Sequence, residues 1–196
     1  MTTFARVILR CAIATLSAGL LGLAPRWRPA ETYSIDPVHS SAIFRIKHLN
    51  TSYFYGRFDD VRGTISFDEA SPTSSSVEVQ IKADSVDTHD GKRDSHLKSP
   101  DFFNAAKYPT LSFKSKSFAK SGDNAFDVSG DLTVHGETKP VTVKFEKTGA
   151  AKTQVGERIG FETTFTIKRS EYGIAFMPDG LGEDVRIIIS LEGVKK

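Results

Sequence analysis

The 196-residue chain contains one cysteine, one tryptophan and two methionines. Cys11 is the lone cysteine and lies close to the start, so residues 31–196 offer no disulfide, no thiolate metal ligand and no thiol nucleophile. No HExxH or HxH spacing, P-loop, dinucleotide-type glycine motif or GxSxG elbow occurs. No internal period marks a repeat array. The longest uncharged apolar run, CAIATLSAGLLGLA over residues 11–24, has 14 residues. That is short of the roughly 20 a membrane span needs. A charge excess is missing as well. Four of the 26 basic residues (Arg6, Arg10, Arg26, Arg28) lie in residues 1–30, which hold no acid. Residues 31–196 therefore carry 22 basic against 24 acidic side chains, a net of −2. A near-neutral domain without a basic stripe has no electrostatic footprint for nucleic acid, and none is expected as a partner.

A short basic stretch followed by that apolar run has the pattern of a secretory signal. Residues 1–30 are read as a signal peptide and residues 31–196 as the exported domain, with no stable membrane insertion after processing. The cleavage point stays open. Gly22-Leu23-Ala24 supplies small residues but Pro25 follows, and a cut after Ala30 puts Arg28 at the third position back.

What the chain does have is phenylalanine, 14 in all with only Phe4 before residue 31, about twice average usage. It also has apolar/polar alternation, the mark of half-buried strands. Ala42, Phe44, Ile46 and His48 share one face, opposite Arg45 and Lys47. The same period runs through residues 61–67, 77–83, 111–114, 126–134, 141–146, 159–168 and 185–192. That gives eight strands, separated by Gly-, Asp-, Asn- and Ser-rich turns that favour antiparallel neighbours. Residues 90–107 (DGKRDSHLKSPDFFNAAK) break the pattern. Asp90 caps a short helix over residues 92–98, and Leu97, Phe102 and Phe103 pack back on the sheet. The expected class is all-β with a short helical insert. Alternation alone leaves a sandwich and a closed barrel equally open.

Three groups of side chains could carry function. The insert places Arg93 and His96 over Phe102 and Phe103, a basic loop on an aromatic floor suited to a polar head group; the competing reading has Arg93 and Asp94 merely anchoring the insert. Tyr53-Phe54-Tyr55 with Phe58 is aromatic on both parities, and Phe176-Met177 forms a second apolar loop. Such rings suit the mouth of a cavity for a lipophilic ligand. The five His residues show no metal spacing, so neither a metal nor a cofactor is assigned. His48 is the one His whose parity points inward.

Several ordered motifs together resemble the YceI-like family. They are Tyr33-Ser34-Ile35-Asp36-Pro37-Val38-His39-Ser40, the run Arg93-Asp94-Ser95-His96-Leu97-Lys98-Ser99-Pro100-Asp101-Phe102-Phe103, Gly130-Asp131-Leu132-Thr133-Val134-His135-Gly136, and Arg169-Ser170-Glu171-Tyr172-Gly173. The resemblance spans about residues 32–194. It implies an eight-stranded antiparallel lipocalin-like β-barrel and a periplasmic protein that holds a polyisoprenoid or other fatty-acid-like chain, with no catalysis. On that reading Phe44, Phe113, Phe126, Phe161 and Phe165 line the barrel. Tyr53, Phe58 and Phe176 stand at the mouth, with His48, Arg93, His96, Phe102 and Phe103 completing the ligand contacts. The alternatives are a barrel enzyme of isomerase or cyclase type using His48, or a filled barrel acting as an interaction module. Residues 53–58 could pair with a second copy to form a homodimer.

Overall fold

The computed structural model describes residues 29–196, so the signal-peptide reading falls almost wholly outside the described residues. Eleven strand segments and one short helix build an eight-stranded antiparallel barrel with a short helical insert. The number differs from eight because three long strands are each broken midway. β1 (Glu31–Ile35) and β2 (Ser41–His48) form one broken strand, β3 (Ser52–Phe58) and β4 (Val61–Phe67) a second, and β5 (Ser76–Lys82) and β6 (Val86–Asp87) a third. The other five are continuous: β7 (Thr110–Lys120), β8 (Ala125–Val134), β9 (Glu137–Thr153), β10 (Gly156–Lys168) and β11 (Leu181–Lys195). At one end the ladder is complete, in the order β1-β4-β5-β7-β8-β9-β10-β11 and back to β1. At the other, β11 leaves β1 for β2, and β2, β3 and β6 follow. β6 does not pair with β7. The ring is therefore open on that seam, and residues 88–109, with helix α1 (Gly91–Leu97), lie between the two strands.

The breaks have local causes. At the β1/β2 corner Asp36 accepts hydrogen bonds from the Val38 N–H at 2.9 Å, from His39 at 2.9 Å and from Arg158 at 3.0 Å. Arg158 also pairs with Glu192, and the Ser40 hydroxyl accepts from the Glu192 N–H. The motif around Asp36 is thus a corner clamp tying β1, β10 and β11 together. Nearby, Lys195 bridges Glu31 and Glu157 at 2.8 and 2.7 Å. Both His39 and Arg158 hold the Asp36 carboxyl down at about 2, and Lys195 with Lys152 does the same for Glu157.

Inward parity fills the closed end with rings. Phe67, Phe118, Phe126, Phe145 and Phe161 are all buried, with centroids 4.5 to 6.0 Å apart and Phe145 stacked flat on Phe161. Two glycines make room for rings higher up. A Cβ on Gly56 would fall 2.2 Å from the Phe44 ring, directly across the β2–β3 ladder, and one on Gly130 would fall 2.7 Å from that of Phe113. Among the described residues no helix is long and apolar enough to cross a membrane.

The clamp makes a pH prediction. The Asp36 carboxyl lies below its ordinary 3.8 in the folded state, so its stabilising effect is present above about pH 4 and disappears as pH falls through about 2. Thermal melts of Asp36→Asn and the parent should differ by a constant gap near neutrality that closes between about pH 4 and 2. A gap unchanged down to pH 2 would contradict the clamp.

Candidate functional site

The open end of the barrel is roofed by two segments. The first is the insert. Asp90 accepts from the Lys92 and Arg93 N–H groups and caps α1. Thr88 is the knot below it: Arg93 donates to the Thr88 hydroxyl at 2.8 Å and to its carbonyl at 2.7 Å, while Asp94 accepts from the Thr88 N–H at 2.9 Å. Arg93 also lies over the Phe54 ring, 4.4 Å from its centroid. Phe103 points down between Phe44 and Phe58, at 6.4 and 5.2 Å.

The second segment, residues 169–180, is organised by Arg169, which is only 5% exposed. Its guanidinium donates to four main-chain carbonyls: Ile174, Phe176, Leu181 and Gly182, at 2.8 to 3.2 Å. No carboxylate lies within 4.0 Å of it among the described residues. Tyr172 and Ile174 pack with Leu132 and Val134, and His135 bonds the Tyr172 carbonyl at 3.1 Å. Burial pushes the Tyr172 phenol above its ordinary value, with Glu171 adding to the shift, so it stays neutral. Three rings join the two roofs across the mouth. His96 meets Phe102 at 5.0 Å and Phe176 at 4.9 Å, and Phe102 meets Phe176 at 5.3 Å. Asp101, 2.8 Å from the His96 Nε2, orients the imidazole.

Beneath the roof lies a cavity of about 450 Å³, within the usual range for small-molecule sites. It continues downward into a narrower section of about 90 Å³. Both are bounded by Phe44, Phe58, Leu111, Val134, Ile167 and Ile187. The lower section has Ser112 and Thr163 as its polar side chains and ends on Phe145. The upper chamber carries Arg93, Arg169, His48, His96 and Tyr172 and no carboxylate. The result is a blind tunnel, apolar at depth and cationic under its roof.

The structure places ten of the thirteen expected residues on this tunnel. Phe44, His48, Phe58, Arg93, His96, Phe102, Phe103 and Phe176 border the chamber, and Phe113 and Phe165 the lower section. Three are elsewhere. Phe126 and Phe161 sit in the closed-end plug, where other rings cover them and leave no path to the cavity. Tyr53 is on the outer face of β3 because the strand's inward parity belongs to Phe54, Gly56 and Phe58; it is half exposed, with Arg45 stacked on it at 3.9 Å. Phe54, from the aromatic run expected at a cavity mouth, belongs to the lining, as do Leu97, Tyr172 and Arg169, which were not anticipated there. Arg93 anchors the insert through Thr88, as the anchoring reading has it, and also borders the cavity. β3 pairs with β2 along its whole length and through Arg57 and Phe58 with β6, so only its first residues have a free edge.

Asp36, His39 and Glu192 bring three potential metal-ligand atoms within 4.8 Å of one another. The Arg158 guanidinium already supplies the cation there, bonded to both carboxylates.

Removing Arg169 should unfix the second roof. Arg169→Met strips four carbonyls of their donor and should cost about 3 kcal/mol in urea unfolding, with faster amide exchange over residues 173–181. A loss below ~0.5 kcal/mol would show that the guanidinium is dispensable.

Comparison with known proteins follows the same outline. The chain matches the YceI-like domain over residues 33–193. It is 43% identical over 170 residues to the protein YceI of Escherichia coli O157:H7, covering 85% of this chain and 88% of that one. Among solved structures it is similar to Burkholderia cenocepacia BcnA, with a TM-score of 0.73 and 25% identity over 81% of this chain and 98% of that one. A polyisoprenoid binding domain from Saccharophagus degradans shares the fold at 19% identity, with a TM-score of 0.69 over 86% of this chain and 100% of that domain. Barrel, roofing insert and corner clamp thus coincide with the span matched, and the chain belongs to the YceI-like family.

Proposed function

We propose that this protein is a periplasmic carrier that holds a polyisoprenoid or similar long-chain lipid in its barrel, tail down and head group under the roof. The observation that carries the reading is the blind tunnel, apolar at depth and free of carboxylates throughout its lining. Each buried CH₂ contributes about 0.8 kcal/mol, so a five-carbon isoprene unit contributes roughly 4. Three or four units offset the roughly 4–15 kcal/mol cost of association. Arg93, Arg169 and the two histidines then need only orient a polar or anionic head. The basic-then-apolar pattern of residues 1–30 supports export. The polyisoprenoid binding domain that shares the fold supports the tail chemistry. A binding role is favoured over catalysis because His48 and His96, the imidazoles of the chamber, stand exposed at the rim, away from the two hydroxyls of the lower section.

Native mass spectrometry of the protein purified from its own periplasm, followed by organic extraction, should release a discrete lipid. A bare mass, unchanged after incubation with isoprenoid alcohols, overturns the carrier reading. The tunnel also predicts a length limit. Ile187→Trp narrows the passage between the chamber and the lower section. It should weaken binding of long-tailed isoprenoids at least about tenfold while sparing short ones. Equal loss for all tail lengths would mean that the tail does not descend past Ile187.

A further inference from the structure

Seven large apolar side chains stand exposed among the described residues, and five gather at the open end: Leu49, Tyr53, Tyr55, Phe176 and Met177. Two neighbouring loops carry the tips. The Leu49 N–H donates to the Gly180 carbonyl at 2.7 Å, and Leu181 lies opposite His48 in the ladder, so the β2–β3 turn and the end of the second roof form one rim.

Both tips are held in the left-handed region, Leu49 at φ +47° and Met177 at φ +53°. Asn and Gly adopt that conformation at less cost than leucine or methionine. The β8–β9 turn solves the same problem with His135-Gly136, at φ +51° and +81°. Turn geometry therefore does not call for the apolar side chain at Leu49; its use has to lie in what it touches.

Behind the tips is a band of rings and cations. On the outer face of β2–β3 the Arg45 guanidinium and the Lys47 ammonium lie 3.9 and 4.9 Å from the Tyr53 ring centroid. Neither has a carboxylate within 4.0 Å among the described residues. Along the wall and at the closed end Lys114, Lys116, Lys147, Lys152, Arg158 and Lys195 each pair with one, whereas Lys120 and Lys144 have none within 4.0 Å among the described residues. Lys47 lies opposite Tyr53 and Arg45 opposite Tyr55 in the ladder, so apolar tips are backed by one mixed band of tyrosines and cations, an order that meets acyl chains first and then the head-group level with its phosphates.

We propose that the open end docks on an anionic phospholipid bilayer, with Leu49, Phe176 and Met177 entering the acyl region and Arg45 and Lys47 meeting lipid phosphates. The proposal rests on the carrier reading and says how a carrier would load. The chamber opens beside the same rim, with Phe176 and Met177 in its lining. Docking therefore sets the mouth of the tunnel against the bilayer, so that the tail need not cross bulk water on its way in.

The test is co-sedimentation of the purified protein with vesicles of phosphatidylcholine and phosphatidylglycerol, beside vesicles of phosphatidylcholine alone. Binding should favour the anionic vesicles. Leu49→Asn keeps a residue suited to positive φ and should weaken binding at least about tenfold. Lys47→Gln should weaken it about fivefold and reduce the preference for phosphatidylglycerol. Neither residue lines the tunnel, so uptake of dissolved farnesol, read by native mass spectrometry, should be unchanged in both. A parent protein that takes up farnesol but does not sediment with vesicles overturns the docking proposal and leaves the carrier standing. Sedimentation without farnesol uptake supports docking and removes the carrier. Vesicle binding undiminished in Leu49→Asn overturns the assignment of the rim.

Discussion

Closure of the hydrogen-bond ladder is the constraint on which the rest of this structure depends. Eight antiparallel strands can satisfy every main-chain group only by returning to their start. Here they do so at one end, where β11 meets β1, and not at the other, where β6 and β7 stay apart. The closed end can be filled with rings and sealed. The open seam must be covered by something that is not a strand, and residues 88–109 do this with a capped helix and the Thr88 knot. The cavity therefore sits where the ladder fails.

The phenylalanines divide along the same axis. In the plug, five rings contact one another and exclude space. Above it, Phe44 and Phe113 lie against Gly56 and Gly130, which give them room to lie flat on the wall. One residue type thus does opposite jobs, and the partner decides which. A ring met by another ring fills the barrel, whereas a ring met by a glycine clears it.

This division explains how much could be read from the chain itself. Period-two alternation located the inward faces of β2, β4, β5 and β8, because half-buried strands alternate whatever their register. Strand β1 and the short β6 were too brief to show a period. In β3 both parities are aromatic, and only the structure shows Tyr53 and Tyr55 outside and Phe54 inside. Phe126 and Phe161 share inward parity with Phe113 and Phe165, and parity does not say how far along the barrel axis a side chain lies. Arg169 was missed for a different reason. In Lys168-Arg169-Ser170 it reads as a solvated charge at a strand end, and its four partners are carbonyls of residues 174–182, which side-chain identity does not display. The helix cap at Asp90 was legible because its signal is local.

The floor at Phe145 has a kinetic consequence. A tube with one opening fixes the order of events for a chain-like cargo: the tail terminus goes in first and comes out last, and the head group faces outward at both loading and unloading. Unloading is then the reverse of loading through the same gate. A carrier of the proposed kind cannot rectify its own traffic. Any net direction then has to come from a difference in chemical potential of the cargo between donor and acceptor.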